Sequence, residues 1–166
     1  MLSTILKSKK HDIIVVYTDG SCMGSGKNIK CGYGIHFPNK ELPDIGKPFK
    51  HTPLTNQRAE LYAIYKALKN ITKKLTFEQI HIYSDSEYSI KSMTIWIKNW
   101  KSNNWKTANN KPVANQDIII KIDKIMEKHK GKIKFTHVMA HTKKTDKHSI
   151  GNDIADKLAK FGSMTS

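Results

Sequence analysis

Two rhythms of apolar and polar positions run along this chain. Short apolar runs bounded by Gly, Pro and Ser come first. They predict β-strands over 12–18, over "GYGIHF" (32–37) and near 45–51, with Pro38, Pro43 and Pro48 marking turns. Residues 20–31, rich in Gly, Ser and Lys, form the expected first loop. The rhythm then changes to helical spacing. Thr55-Asn56 has the chemistry of a helix cap before "QRAELYAIYKALKNI", where Leu61, Ile64, Leu68 and Ile71 recur on one face. "IHIYS" (80–84) returns to strand, and 86–101 to helix. A polar, basic excursion follows over 100–112. A helix over 115–129 then carries Ile118, Ile122, Ile125 and Met126. "KIKFTHV" (132–138) predicts a last strand and "GNDIADKLAKF" (151–161) a closing helix.

The element order is therefore β-β-β-α-β-α-α-β-α. Hairpin strands followed by alternating strands and helices predict an α/β fold, a five-stranded mixed sheet flanked by helices. No internal repeat, heptad array or interdomain linker interrupts the pattern, and 166 residues suit one domain.

Composition narrows the partner. The chain carries 29 basic against 14 acidic residues, a formal net charge of +15. Such a balance favours a polyanion, nucleic acid before an anionic membrane, although a lysine-rich solubility surface or an AT-rich genome would leave the same trace. Arg58 is the only arginine. Lysine meets phosphate as a point charge, so backbone contact is favoured over base reading. No apolar run is long enough for a membrane span. "MLSTILKSKK" is too short and too soon charged for a secretory signal, which makes Asn70-Ile71-Thr72 a chance sequon. Cys22 and Cys31 form no CxxC pair and fit free thiols in a reducing compartment, with a disulfide between them as the lesser alternative. "GSGKN" (24–28) lacks phosphate-loop spacing, and nothing has zinc-ligand spacing.

The chemistry lies with the acids. Asp19 closes the first expected strand and Asp85 the fourth; Glu60 falls in the first turns of the first helix and Asp156 in the last helix. Each alone has a plain structural explanation: a turn, a helix dipole or a solvated face. Together, carboxylates at neighbouring strand ends would repel unless a hard cation neutralised them, and Mg²⁺ suits such oxygen donors.

Six motifs in order carry a resemblance: "YTDGSC", "TNQRAEL", "YSDSEY", "WIKNWKSNNWKT", "HVMAHT" and "GNDIADKLA". Over about 12–161 the chain resembles ribonuclease HI of the cellular type. The resemblance implies a ribonuclease H-like fold and metal-dependent cleavage of the RNA strand of RNA–DNA hybrids. It implies two Mg²⁺ or Mn²⁺ ions on Asp19, Glu60, Asp85 and Asp156, with Asp153 as a possible assistant. His141 matches a mobile-loop histidine that moves a proton or helps product leave; His148, in the same long loop with Gly151 as its hinge, has no clear counterpart. Cys22, Ser25, Asn56 and Gln57 match contacts to the RNA strand, and Thr55 with Asn115 a pocket for a DNA phosphate. Arg58 is expected to pair internally with Asp117. Trp96, Trp100, Lys98, Lys101 and Lys106 match a basic substrate handle, with the tryptophans partly buried and the lysines in solvent.

Departures are few. Ser25 stands where Asn is common, and Glu87 places a negative charge beside the expected minor groove. The expected organisation is a short extension over 1–11, a catalytic domain over 12–161 and a tail over 162–166, with no room for a separate hybrid-binding domain. The expected protein is a monomer without membrane contact, in the cytoplasm or a replication compartment. Two rivals stand beside this reading. One is a related nuclease acting on another nucleic acid, such as a junction resolvase, and the other is a hybrid-binding module without catalysis.

Overall fold

The computed structural model describes residues 9–166. Residues 1–8, most of the expected N-terminal extension and of "MLSTILKSKK", lie outside the described residues. Five strands form one sheet: β1 (Lys10–Met23), β2 (Lys30–His36), β3 (Ile45–Phe49), β4 (Thr76–Ser84) and β5 (Ile133–His137). Their order is β3-β2-β1-β4-β5. β1–β2 and β2–β3 run antiparallel, while β1–β4 and β4–β5 run parallel, so the sheet is mixed as expected.

The helices are α1 (Asn56–Lys74), α2 (Glu87–Lys91), α3 (Ile97–Ser102), α4 (Gln116–Lys128) and α5 (Lys147–Met164). A π-helical turn, Ser92–Trp96, joins α2 to α3. Thr55 caps α1 as its sequence suggests, its Oγ1 accepting from the Arg58 backbone N–H. The stripe Leu61, Ile64, Leu68 and Ile71 is fully buried against Ile14, Val16, Ile80 and Ile82 of the two central strands. Among the described residues, no helix is long and apolar enough to cross a membrane.

Three sequence expectations change. First, β1 does not stop at residue 18 but runs to Met23, so Asp19 is not a strand end. What ends there is the pairing with β4, whose last register pair is Thr18↔Ser84, while β1 continues along β2. Second, most of the expected loop over 20–31 is hairpin. Cys22 and Cys31 stand opposite each other, their Cα atoms 4.0 Å apart, and are joined as a disulfide rather than left as free thiols. Strand register decides this, and a separation of nine residues does not reveal it. Third, α5 begins at Lys147, capped by the Asp146 carboxylate accepting from the N–H groups of His148 and Ser149. Gly151 is therefore buried inside a helix and is no hinge. A Cβ there would meet the Tyr17 ring at 2.5 Å, so glycine is what lets α5 lie this close to β1.

Candidate active site

The sheet splits beyond Thr18 and Ser84, and the acids gather in that split. Asp19 sits on β1, one residue past the last β4 pair, and is 3% exposed. Gly20 follows it. A Cβ on Gly20 would run into the backbone of Ala59 and Glu60, so glycine admits the first turns of α1 and brings Glu60 beside Asp19. Asp85 follows directly after β4. One carboxylate oxygen from each of Asp19, Glu60 and Asp85 lies within 4.8 Å of the others.

This arrangement is electrostatically strained. Burial, followed by the charges of neighbouring acids, pushes the Asp19 carboxyl from 3.8 up to about 8, against a hydrogen bond from Glu60 that favours its anion. Glu60 is held well above the ordinary glutamate range by burial and then by the Asp19 charge, despite a hydrogen bond from the Gly20 N–H. Glu60 Oε2 is buried and has no hydrogen-bond partner. Oxygen-only donors, mutual repulsion and an orphaned oxygen fit a hard divalent cation. Asp156 faces the same space, since it raises the Asp19 pKa. It lies outside the close triad, however, and its Oδ2 pairs with Lys160 Nζ at 2.9 Å.

Sequence reasoning missed Asn152. It is 2% exposed, and its Nδ2 donates to Asp85 Oδ2 at 3.1 Å. Its position one helical turn before Asp156 was the signal in the sequence. The expected assistant, Asp153, is half-buried and makes no such contact among the described residues. His137 also closes on this corner, its Nε2 donating to the Asp85 carbonyl at 3.2 Å.

The two loop histidines separate. His141 is exposed, with a φ of 52° in the segment between β5 and α5. His148 belongs to the first turn of α5, not to a loop. Its Nδ1 shares a 2.7 Å hydrogen bond with the Tyr17 hydroxyl, and its ring stacks on Tyr83 at 4.5 Å.

Of the residues expected to touch substrate, Thr55, Asn56 and Gln57 stand at the start of α1. Asn56 Oδ1 accepts from the Cys22 N–H at 2.9 Å. Gln57 and Ser25 are exposed. Arg58 grips Asp117 through two 2.8 Å hydrogen bonds and reaches Asn115 Oδ1 at 3.5 Å. Asn115 holds a left-handed backbone and donates to the Tyr88 hydroxyl at 2.9 Å, so it is placed beside Thr55 by this Arg58 hub. Trp96, which ends the π turn, and Trp100 of α3 pair at 5.9 Å, Trp100 half-buried and Trp96 37% exposed. Lys98 and Lys106 are in solvent. Lys101 is exposed as well, and it pairs with Asp123 at 2.8 Å and Glu127 at 3.3 Å. The Glu87 charge is likewise answered by Lys91 at 2.6 Å.

A mixed sheet in this order, with carboxylates collected where its central strands part, defines a ribonuclease H-like hydrolase. The RNase H family model matches residues 11–164, and the chain belongs to that family. It is accordingly an endoribonuclease of the ribonuclease H class. It is 41% identical over 149 residues to a Schizosaccharomyces pombe ribonuclease H, covering 89% of this chain but only 52% of that protein. It is 36% identical over 150 residues to the Actinobacillus pleuropneumoniae ribonuclease H, covering 90% of each. The solution structure of the prototype foamy virus RNase H domain superimposes with a TM-score of 0.75 at 29% identity, covering 92% of this chain and 94% of that one.

Proposed function

We propose that this protein cleaves the RNA strand of RNA–DNA hybrids, leaving 5′-phosphate and 3′-hydroxyl ends. The observation that carries the reading is the triad of Asp19, Glu60 and Asp85, with oxygens within 4.8 Å of one another and Glu60 Oε2 orphaned among them. Asp19, Glu60, Asp85 and Asp156 would hold two divalent ions, Mg²⁺ or Mn²⁺. Ions bound there supply an activated water and neutralise the charge on the departing 3′-oxygen.

The chain's own groups do the rest. Asn152 orients Asp85 through its 3.1 Å hydrogen bond. His141, free in its loop, exchanges a proton at the leaving oxygen. Cys22, Ser25, Asn56 and Gln57 face the RNA strand, where amide and hydroxyl groups can both donate to and accept from a 2′-hydroxyl. Thr55 and Asn115 hold a phosphate of the DNA strand. Trp96, Trp100, Lys98 and Lys106 guide the duplex, with Lys101 buttressing the handle through its ion pairs. The protein acts as a monomer, in the cytoplasm or a replication compartment.

The test offers RNA–DNA hybrid, double-stranded RNA and a four-way DNA junction, with and without Mg²⁺, and then analyses the ends. Mg²⁺-dependent cutting of hybrid RNA alone is expected. Junction cutting would favour a resolvase, and binding without cutting a silent module.

A further inference from the structure

Away from the acids, α1 and α4 pack side by side and leave a cleft of about 510 Å³ between them. Five lysines line it: Lys69 and Lys73 from α1, and Lys121, Lys124 and Lys128 from α4. No carboxylate does, and among the described residues none of the five makes an ion pair. The acids of α4 were at hand but are engaged elsewhere. Asp117 holds Arg58, while Asp123 and Glu127 hold Lys101. The helix thus sorts its charges, with two acids turned to the handle and lysines left to the cleft.

Two of the lysines are also given an aromatic seat. Lys69 Nζ lies 5.7 Å and Lys121 Nζ 5.6 Å from the centre of the Tyr65 ring, one contributed by each helix. Cation–π contact holds an ammonium in place without neutralising it. A merely solvated helix face gains by pairing lysines with acids three or four residues away. This cleft instead keeps like charges together, which costs free energy until a polyanion enters. The field extends to neighbours: burial, then the charges of Lys132 and Lys128, lowers the pKa of His129 at the cleft's end.

From the unpaired cleft lysines and the Tyr65 platform between them, we infer a second nucleic-acid site that takes a phosphodiester backbone without reading its sequence. Phosphates along one strand would replace the missing counter-charges, with release of bound salt ions. The site does not touch the triad. It would hold a neighbouring stretch of nucleic acid while a hybrid occupies the acids.

The test is done in chelator, so that nothing is cut. One equivalent of unlabelled short hybrid is first bound per protein, and binding of a fluorescent DNA duplex is then followed across a salt series. The 166-residue chain is compared with Lys69→Ala/Lys121→Ala/Lys124→Ala and with a charge-matched control, Lys40→Ala/Lys50→Ala/Lys134→Ala, drawn from outside the cleft. The native protein and the control should form the ternary complex. The cleft variant should bind the duplex at least about tenfold more weakly, with a slope of log affinity on log salt smaller by about 0.9 for each phosphate no longer neutralised. Circular dichroism confirms that each variant is folded. Failure of the native protein to bind a second nucleic acid would overturn the proposal, and so would equal weakening in the two variants. Tight binding of a poly-glutamate peptide that duplex DNA cannot compete away would overturn it too, by assigning the cleft to an acidic protein partner. Because nothing depends on cleavage, failure of the hydrolytic reading would leave this result unchanged.

Discussion

Asn152 Nδ2 donates to Asp85 Oδ2 at 3.1 Å, joining residues 67 apart in sequence. The bond fastens the buried Gly151-Asn152 step of α5 to the open end of β4. Asp85 in turn brings a carboxylate oxygen within 4.8 Å of those of Asp19 and Glu60. Groups that orient a ligand-bearing carboxylate commonly carry a tenfold to hundredfold share of metal affinity or activity. Asn152→Ala is therefore expected to raise the Mg²⁺ concentration for half-maximal cleavage by about ten- to a hundredfold. A metal titration of the steady-state rate checks this, and Asn152→Asp, which keeps the shape but adds charge, should not restore it. An unchanged titration would show that Asp85 needs no such support.

Asp85→Asn should abolish cleavage and leave hybrid binding largely intact, since affinity comes mainly from lysine–phosphate contacts. Gel-shift and cleavage assays on one hybrid separate the two effects. Without metal, the same change should also raise the melting temperature by relieving repulsion in the triad. Parallel loss of binding and cleavage would remove Asp85 from the metal set.

The triad also sets a pH dependence. Asp19 has its pKa raised from 3.8 to about 8, so the folded state holds its proton more tightly than the unfolded one. Its contribution to stability is complete below about pH 4 and lost as pH rises through about 8. In chelator, the native protein should accordingly lose melting temperature across that window more steeply than Asp19→Asn. Each kcal/mol of difference corresponds to about 2–4 °C for a chain of this size. Parallel melting curves for the two proteins between those pH values would contradict the burial of Asp19 as a strained acid.

His141 and His148 should part company in kinetics and stability. His141→Ala is expected to slow turnover by roughly ten- to a hundredfold, at or below usual acid–base contributions, with an unchanged melting temperature. His148→Ala removes a hydrogen bond to Tyr17 and a ring stack on Tyr83. It should cost about 1–3 kcal/mol of stability and only a few-fold in rate. Single-turnover rates and thermal melts on both variants decide it. A larger kinetic effect at His148 would transfer the proton role to the helix.

The handle lysines should not behave alike. Lys98→Ala and Lys106→Ala should each flatten the salt dependence of hybrid binding by about 0.9 in slope. Lys101→Ala should leave the slope nearly unchanged and instead loosen the packing of α3 on α4, because its ammonium is spent on Asp123 and Glu127. Binding isotherms over a salt series distinguish them.

The local rhythm of this chain was enough for the order of its strands and helices, though not for the ends of β1 and α5. Strands and helices follow from side-chain periodicity, which each segment carries by itself. Thus the Leu61–Ile71 stripe and the Thr55 cap are legible without a fold. The ordered motifs likewise pointed to Asp19, Glu60, Asp85 and Asp156. Tertiary structure decided what depends on residues meeting across the chain. It showed that Asp19 lies within a continuing strand, because β1 loses β4 but keeps β2. It closed Cys22 on Cys31 through hairpin register. It paired Lys101 with Asp123 and Glu127 and moved His148 from loop to helix, where Asp146 caps the turn and Tyr17 receives the ring. Above all, it drew three acids from β1, α1 and the end of β4 into one space, with Asn152 of α5 holding the third. Sequence spacing records neither Coulomb repulsion nor the close approach that Gly20 permits. Both arise only when the sheet is assembled and the helices are laid against it.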